Sequence, residues 1–95
     1  MTDSVGGMLI EAYGILNDGI RVLGDDPILD HFTWLGRESM VLAVEVEKGQ
    51  ELLKSVLRDA LTEVYDFMTM VGWMTASFTI LKGKKEVGTA RIGLL

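Results

Sequence analysis

The most regular pattern in the chain lies between Gly49 and Val71, where apolar residues recur every three or four positions. This is the period of an α-helix, and the apolar side chains fill one arc of the helical wheel. The members of this arc are Leu53, Val56, Leu57, Ala60, Leu61, Val64, Phe67, Met68 and Val71. Gly72 follows at the position where a left-handed C-cap is most common. The pattern predicts a helix of about six turns that packs one face against a core.

A second helical pattern runs from Met8 to Leu23. The positions assigned to its core face are Leu9, Ala12, Tyr13, Leu16, Ile20 and Leu23. Residues 1–7 are largely polar or Gly, so we expect them to form a frayed lead-in. Because a Gly inside a helix costs about 1 kcal/mol relative to Ala, the alternative is a shorter helix that breaks near Gly14.

Met8, Ile15 and Val22 form a second apolar line, at heptad spacing, beside that core face. A helix resting on one sheet rarely needs an apolar surface about half its circumference wide. Another copy of the chain is the simplest partner for the extra line, and Gly19 beside it would let two backbones come close. The sequence therefore predicts a homo-oligomer, most simply a dimer, with Met8, Ile15, Gly19 and Val22 at the interface. The competing account is that another segment of the same chain covers the line.

Three further segments alternate between apolar and polar residues, which is the period of a β-strand. They are Ser39–Glu47, Trp73–Leu81 and Glu86–Leu95. The first places Met40, Leu42, Val44 and Val46 on one face; the second places Met74, Ala76, Phe78 and Ile80 inward. Residues 82–85 contain Gly83 and predict a hairpin turn between the last two strands. Two Gly residues in the last strand indicate a bulge or a close backbone approach.

Residues 28–35 are compatible with either a strand or a short helix. Asp26, Pro27 and Gly36 would suit the cap, first turn and end of a helix. We favour a strand, because it gives the strand that follows a hairpin partner. The element order is then α-β-β-α-β-β. It predicts a single α+β domain over residues 1–95, a two-layer sandwich with both helices on one face of a mainly antiparallel four-stranded sheet.

Composition narrows the classes of function. The chain has 95 residues, no Cys and a net charge of −5. The absence of Cys excludes disulfides, zinc–thiolate sites and thiol nucleophiles. The acidic balance disfavours nucleic acid as a partner, and no apolar run approaches the roughly 20 residues of a membrane span. The N-terminal residues lack the basic region of a secretory signal, so we expect a cytoplasmic protein.

Few residues are candidates for chemistry. Asp25, Asp26, Asp30 and His31 are metal-ligand types, but their spacing matches no metal motif. His31 is the only His, and no nucleophile or phosphate-loop motif occurs. We therefore expect no metal site and no cofactor, and binding rather than catalysis.

Trp34 and Trp73 alternate with core-type residues, and one interpretation places both on the sheet face away from the helices, in an apolar patch with Val41 and Ala43. Such patches commonly mark interfaces. A strand register shifted by one residue would instead place both Trp side chains in the core.

The sequence favours a small interaction or regulatory module that self-associates and has a possible protein partner. The alternative is a small-molecule-binding protein or minor enzyme, with a site at a sheet–helix or subunit boundary near His31. For that alternative the candidate ligand-binding residues are His31, Trp34 and Trp73.

Overall fold

The first helix is longer than the sequence pattern predicts. The computed structural model describes residues 2–94, and helix α1 spans Thr2–Leu23 without a break at Gly14. The expected frayed lead-in is therefore wrong. Val5 is buried and lies one helical turn before Met8 and Leu9, which extends the core face toward the N-terminus.

The second helix is shorter than predicted and begins later. Helix α2 spans Lys54–Val71. It begins at Lys54 because the two residues before it form a short strand, β4 (Leu52–Leu53), which pairs antiparallel with β1 (Pro27–Ile28). At its other end, Gly72 is the C-cap of α2 and donates its N–H to the Met68 carbonyl oxygen at 2.8 Å. The predicted position of the cap is therefore correct, but its φ of +111° and ψ of 151° differ from the predicted left-handed helical conformation.

The main sheet has four antiparallel strands. Their bounds are β2 (His31–Leu35), β3 (Met40–Val46), β5 (Ala76–Lys82) and β6 (Lys85–Leu94). The order across the sheet is β2-β3-β6-β5, so β2 and β5 are the edge strands. The prediction of a strand, rather than a helix, over residues 28–35 is confirmed for His31–Leu35, whereas Ile28 belongs to β1 and residues 29–30 lie in neither strand.

Both helices pack on one face of this sheet, which confirms the two-layer α+β architecture. We call this the helix face and the other side the open face. Helix α1 packs on β2 and β3, whereas α2 packs on β5. Arg58 of α2 donates a hydrogen bond to Asn17 of α1 at 3.2 Å. The buried residues of the helix face include Met40, Leu42, Val44, Ile80, Ala90 and Ile92.

The absence of a side chain at Gly88 lets the backbone of β6 approach that of β3 closely, because a Cβ there would lie only 2.8 Å from the Glu45 carbonyl oxygen of β3. The pairing of β5 with β6 is irregular next to it, between Ile80 and Leu81. The sequence predicted either a close approach or a bulge in the last strand, and the structure has a close approach at Gly88 with a register shift beside it.

Candidate functional site

Trp34 lies on the helix face, which is the core placement that the sequence left open, and not on the open face. Its partner in the β2–β3 register is Leu42, which is fully buried under the helices. Because directly paired residues of an antiparallel sheet point to the same side, Trp34 packs against the core. Its indole nitrogen Nε1 is buried and has no hydrogen-bond partner among the described residues.

Trp73 lies outside β5, because the strand begins only at Ala76 and not at Trp73 as the alternation predicts. Its ring packs on α1, where a Cβ at Gly6 would lie 3.2 Å from two of its ring carbons. The Tyr65 ring of α2 lies against it as well, with ring centroids 5.1 Å apart. Trp73 therefore contacts both helices, and the interpretation that places the two Trp residues in an open-face patch is wrong.

His31 lies apart from both Trp side chains. It is the exposed first residue of the edge strand β2 and is paired in register with Glu45. Two residues along β2 the exposed Thr33 points to the same side, whereas Phe32, between them, and Trp34, after Thr33, face the helices. The structure therefore does not bring His31, Trp34 and Trp73 into one ligand site.

The four residues of the predicted interface do not share one surface. Met8 is buried, and a Cβ at Gly36 would lie 2.9 Å from the Met8 Cβ. Gly19 faces α2, where a Cβ would lie 3.4 Å from Lys54 Nζ. Ile15 and Val22 are exposed, Val22 to 70%. Of the four residues predicted at the interface, only Ile15 and Val22 are therefore exposed on α1.

A concave surface with largely apolar walls lies between α2 and the edge strand β5 and has a volume of about 420 Å³. The helix contributes Val56, Ala60, Val64 and Phe67, and the strand contributes Phe78, Ile80 and Leu81. Charged groups lie only at the rim, as Asp59 and Glu63 on α2 and Lys82 on β5. Thr79 completes the lining. We refer to this feature as the α2–β5 groove.

An exposed apolar surface continues from this groove past the end of α2. Phe67 is 57% exposed and Met70 is 83% exposed, and Val71 and Met74 are exposed as well. The helical wheel placed Phe67 and Val71 in the core, and the strand alternation placed Met74 there. All three expectations are wrong: within residues 2–94 no further element packs beside α2 on the β5 side, and Met74 lies before the start of β5.

Of the acidic residues near His31 in the sequence, Asp25 has a structural role. The Asp25 carboxylate accepts hydrogen bonds from the Ser55 backbone N–H and from the Ser55 hydroxyl. These two bonds hold the pKa of Asp25 below its ordinary value, and the hydroxyl has the larger effect. No group of three or more His, Asp or Glu side chains within the described part of the chain could hold a metal ion.

Two other findings bear on the class of protein. Neither α1 nor α2, as far as their residues are described, is long and apolar enough to cross a membrane. Comparison of the chain with protein-family models, with curated proteins and with solved structures gives no match.

Proposed function

We propose that the protein is a protein-interaction module and that the α2–β5 groove is its binding site for another polypeptide. The observation that supports this proposal is the position of an apolar groove directly beside an edge strand with an open backbone. An edge strand presents unpaired N–H and C=O groups, so an extended segment can add to the sheet there.

The composition of β5 favours such an addition. Natural edge strands are usually protected by Pro, by inward-pointing charges or by a short length. β5 has seven residues, no Pro and one charged residue, Lys82 at its end. Its inward side chains Phe78 and Ile80 line the groove, so apolar side chains of an added strand would find apolar walls.

The groove supports a polypeptide better than the small-molecule site that the sequence also allows. Seven of its lining residues are apolar, and its charged residues, Asp59, Glu63 and Lys82, are exposed. His31, the residue around which that alternative was built, lies on β2 at the opposite edge of the sheet. We further propose a cytoplasmic location, which suits a chain without Cys.

Selection from a library of displayed peptides tests the proposal. We expect wild-type protein to enrich sequences with alternating apolar residues, and Phe67→Glu to lose their binding. Leu29→Glu is the matched control, because Leu29 is 82% exposed and lies outside the groove. The proposal fails if wild-type protein that is monomeric enriches no peptide, or if the enriched peptides bind Phe67→Glu as well as they bind Leu29→Glu.

A further inference from the structure

We infer that the polypeptide that occupies the α2–β5 groove is a second copy of this chain, joined by antiparallel pairing of β5 with β5 about a two-fold axis. This inference rests on the function proposed above and names the partner for the same site. It places the contact on a different surface from the α1 line that the sequence suggested.

The charge on β5 suits antiparallel self-pairing. Residues 76–81 are uncharged, and Lys82 is the last residue of the strand. Two antiparallel copies place each Lys82 opposite the start of the other strand, so the two ammonium groups lie about 20 Å apart at 3.3 Å per residue. A parallel arrangement would bring the two like charges together.

The spacing of the strands and of the helices that pack on them also suits this pairing. Neighbouring strands lie about 4.8 Å apart, and packed helices lie 8–10 Å apart, so one helix covers about two strands. This protein already carries two helices on four strands. Pairing β5 with β5 extends the sheet to twice its width, and it brings the two copies of α2 side by side at an ordinary helix-packing distance.

A second copy covers the apolar end of α2 better than a single added strand does. A strand in the groove reaches Phe78 and Ile80 but lies below Met70, which is on the helix and 83% exposed. Across a two-fold axis the helices run antiparallel, so the C-terminal half of one α2, including Phe67 and Met70, faces the N-terminal half of the other. The exposed apolar surface then lies inside the contact.

The available area is sufficient for an oligomer. β5 is about 23 Å long at 3.3 Å per residue, and a helix layer on a sheet is roughly 20 Å deep, which gives a footprint on the order of 500 Å² per copy. The total of about 1,000 Å² reaches the lower limit for a specific interface. We therefore expect a dimer that dissociates measurably on dilution.

Oligomeric mass, measured by light scattering over a dilution series, tests the inference. We expect wild-type protein at high concentration to have twice the 10.5 kDa mass of one chain. Phe67→Glu and Met70→Glu should each weaken the dimer roughly tenfold or more, because a charge replaces an apolar interface group. Both side chains are more than half exposed, so circular dichroism should show that each variant stays folded.

Val22→Glu and Leu29→Glu are matched controls, because each places the same charge at an exposed apolar position outside the groove. We expect both to dimerise as the wild type does. A dimer that Val22→Glu weakens and Met70→Glu leaves intact would overturn the inference and return the contact to α1.

The two proposals fail in different ways. A wild type that stays monomeric at every concentration, yet enriches peptides that need Phe67, overturns the second-copy inference and leaves the proposed function in place. A monomer that enriches no peptides overturns both.

Glu63 provides a test of the two-fold symmetric arrangement. It lies at the middle of α2 and at the groove rim, so a two-fold axis there brings Glu63 near its own counterpart. Glu63→Gln should therefore tighten the dimer about two- to fivefold, the range expected for one exposed charge pair. A Glu63→Gln dimer that is weaker than the wild type would contradict the symmetric arrangement.

Discussion

The carboxylate of Asp25 caps helix α2 through Ser55, which lies 30 positions further along the chain. One carboxylate oxygen accepts the Ser55 backbone N–H at 2.9 Å, and the other accepts the Ser55 hydroxyl at 2.5 Å. Leu53, at the N-cap position of α2, provides no side-chain cap of its own. The segment that follows α1 therefore satisfies an N–H group that every helix leaves unpaired in its first turn.

We expect Asp25→Ala to lower the melting temperature, because the Ser55 N–H loses its acceptor. Asp26→Ala is the matched control, because Asp26 is the exposed neighbour of Asp25. Asp26 contacts α2 through its backbone carbonyl oxygen, which accepts the Lys54 N–H at 3.3 Å and is kept in the variant. Thermal unfolding of both variants measures the difference. Equal melting temperatures for the two variants would show that the Asp25 side chain does not stabilise the helix.

The capping interaction should weaken in acid. The hydrogen bonds from Ser55 hold the folded-state pKa of Asp25 below the ordinary value of 3.8. The stabilisation is therefore present above pH 3.8 and is lost as pH falls through the lower folded-state pKa. The melting-temperature difference between wild type and Asp25→Asn, followed against pH, should shrink in that acidic range. A difference that stays constant there would mean that the ionised form is not favoured in the folded state.

The centre of α2 should be sensitive to truncation. Leu57 and Leu61 are buried, so Leu→Ala at either position should cost about 2–5 kcal/mol through lost burial and the cavity that remains. Phe67→Ala removes a larger side chain, but one that is 57% exposed in a single chain. We expect it to cost less than either Leu variant in urea unfolding at a concentration where the protein is monomeric. The opposite ranking would place Phe67 in the core.

Two glycine substitutions should have opposite effects on stability. A Cβ at Gly36 would lie 2.9 Å from the Met8 Cβ, which the helix backbone holds in place, so Gly36→Ala should cost about 1–3 kcal/mol by overpacking. Gly7 lies inside α1 with nothing within 4 Å of a new Cβ. Gly7→Ala should stabilise the protein by roughly 0.5–1 kcal/mol through helix propensity. Urea unfolding of the two variants checks both signs.

The periodic elements could be predicted from the sequence, because period depends on neighbouring residues. Leu57, Leu61 and Met68 lie on the predicted core face of α2 and are buried. The alternation in β3 likewise identified Met40, Leu42 and Val44 as core residues.

The sequence could not predict how much of the apolar arc of α2 is covered by neighbouring elements. Phe67 and Val71 belong to the same apolar arc as Leu61, but they are exposed because no element lies beside α2 there. A pattern shows which residues are apolar but does not show how many partners a helix has.

Other features depend on pairing between distant residues, which no local pattern records. The two-residue strands β1 and β4 are too short to show a period, so their pairing was missed. The sheet face on which Trp34 lies depends on the β2–β3 register, and Trp73 lies before the first residue of β5. The cap of Asp25 on Ser55 has no sequence signal, because a capping box joins residues three positions apart.

The position of β6 in the sheet has a consequence for how the chain is made. β6 is the last strand in the sequence, yet it lies between β3 and β5 and pairs with both. On the ribosome, therefore, both helices and the other five strands emerge before the strand that joins the two halves of the main sheet. Until residue 94 leaves the exit tunnel, β3 and β5 each have an open edge that β6 later closes. In that interval we expect the nascent chain to be most prone to aggregation through these two unpaired strand edges.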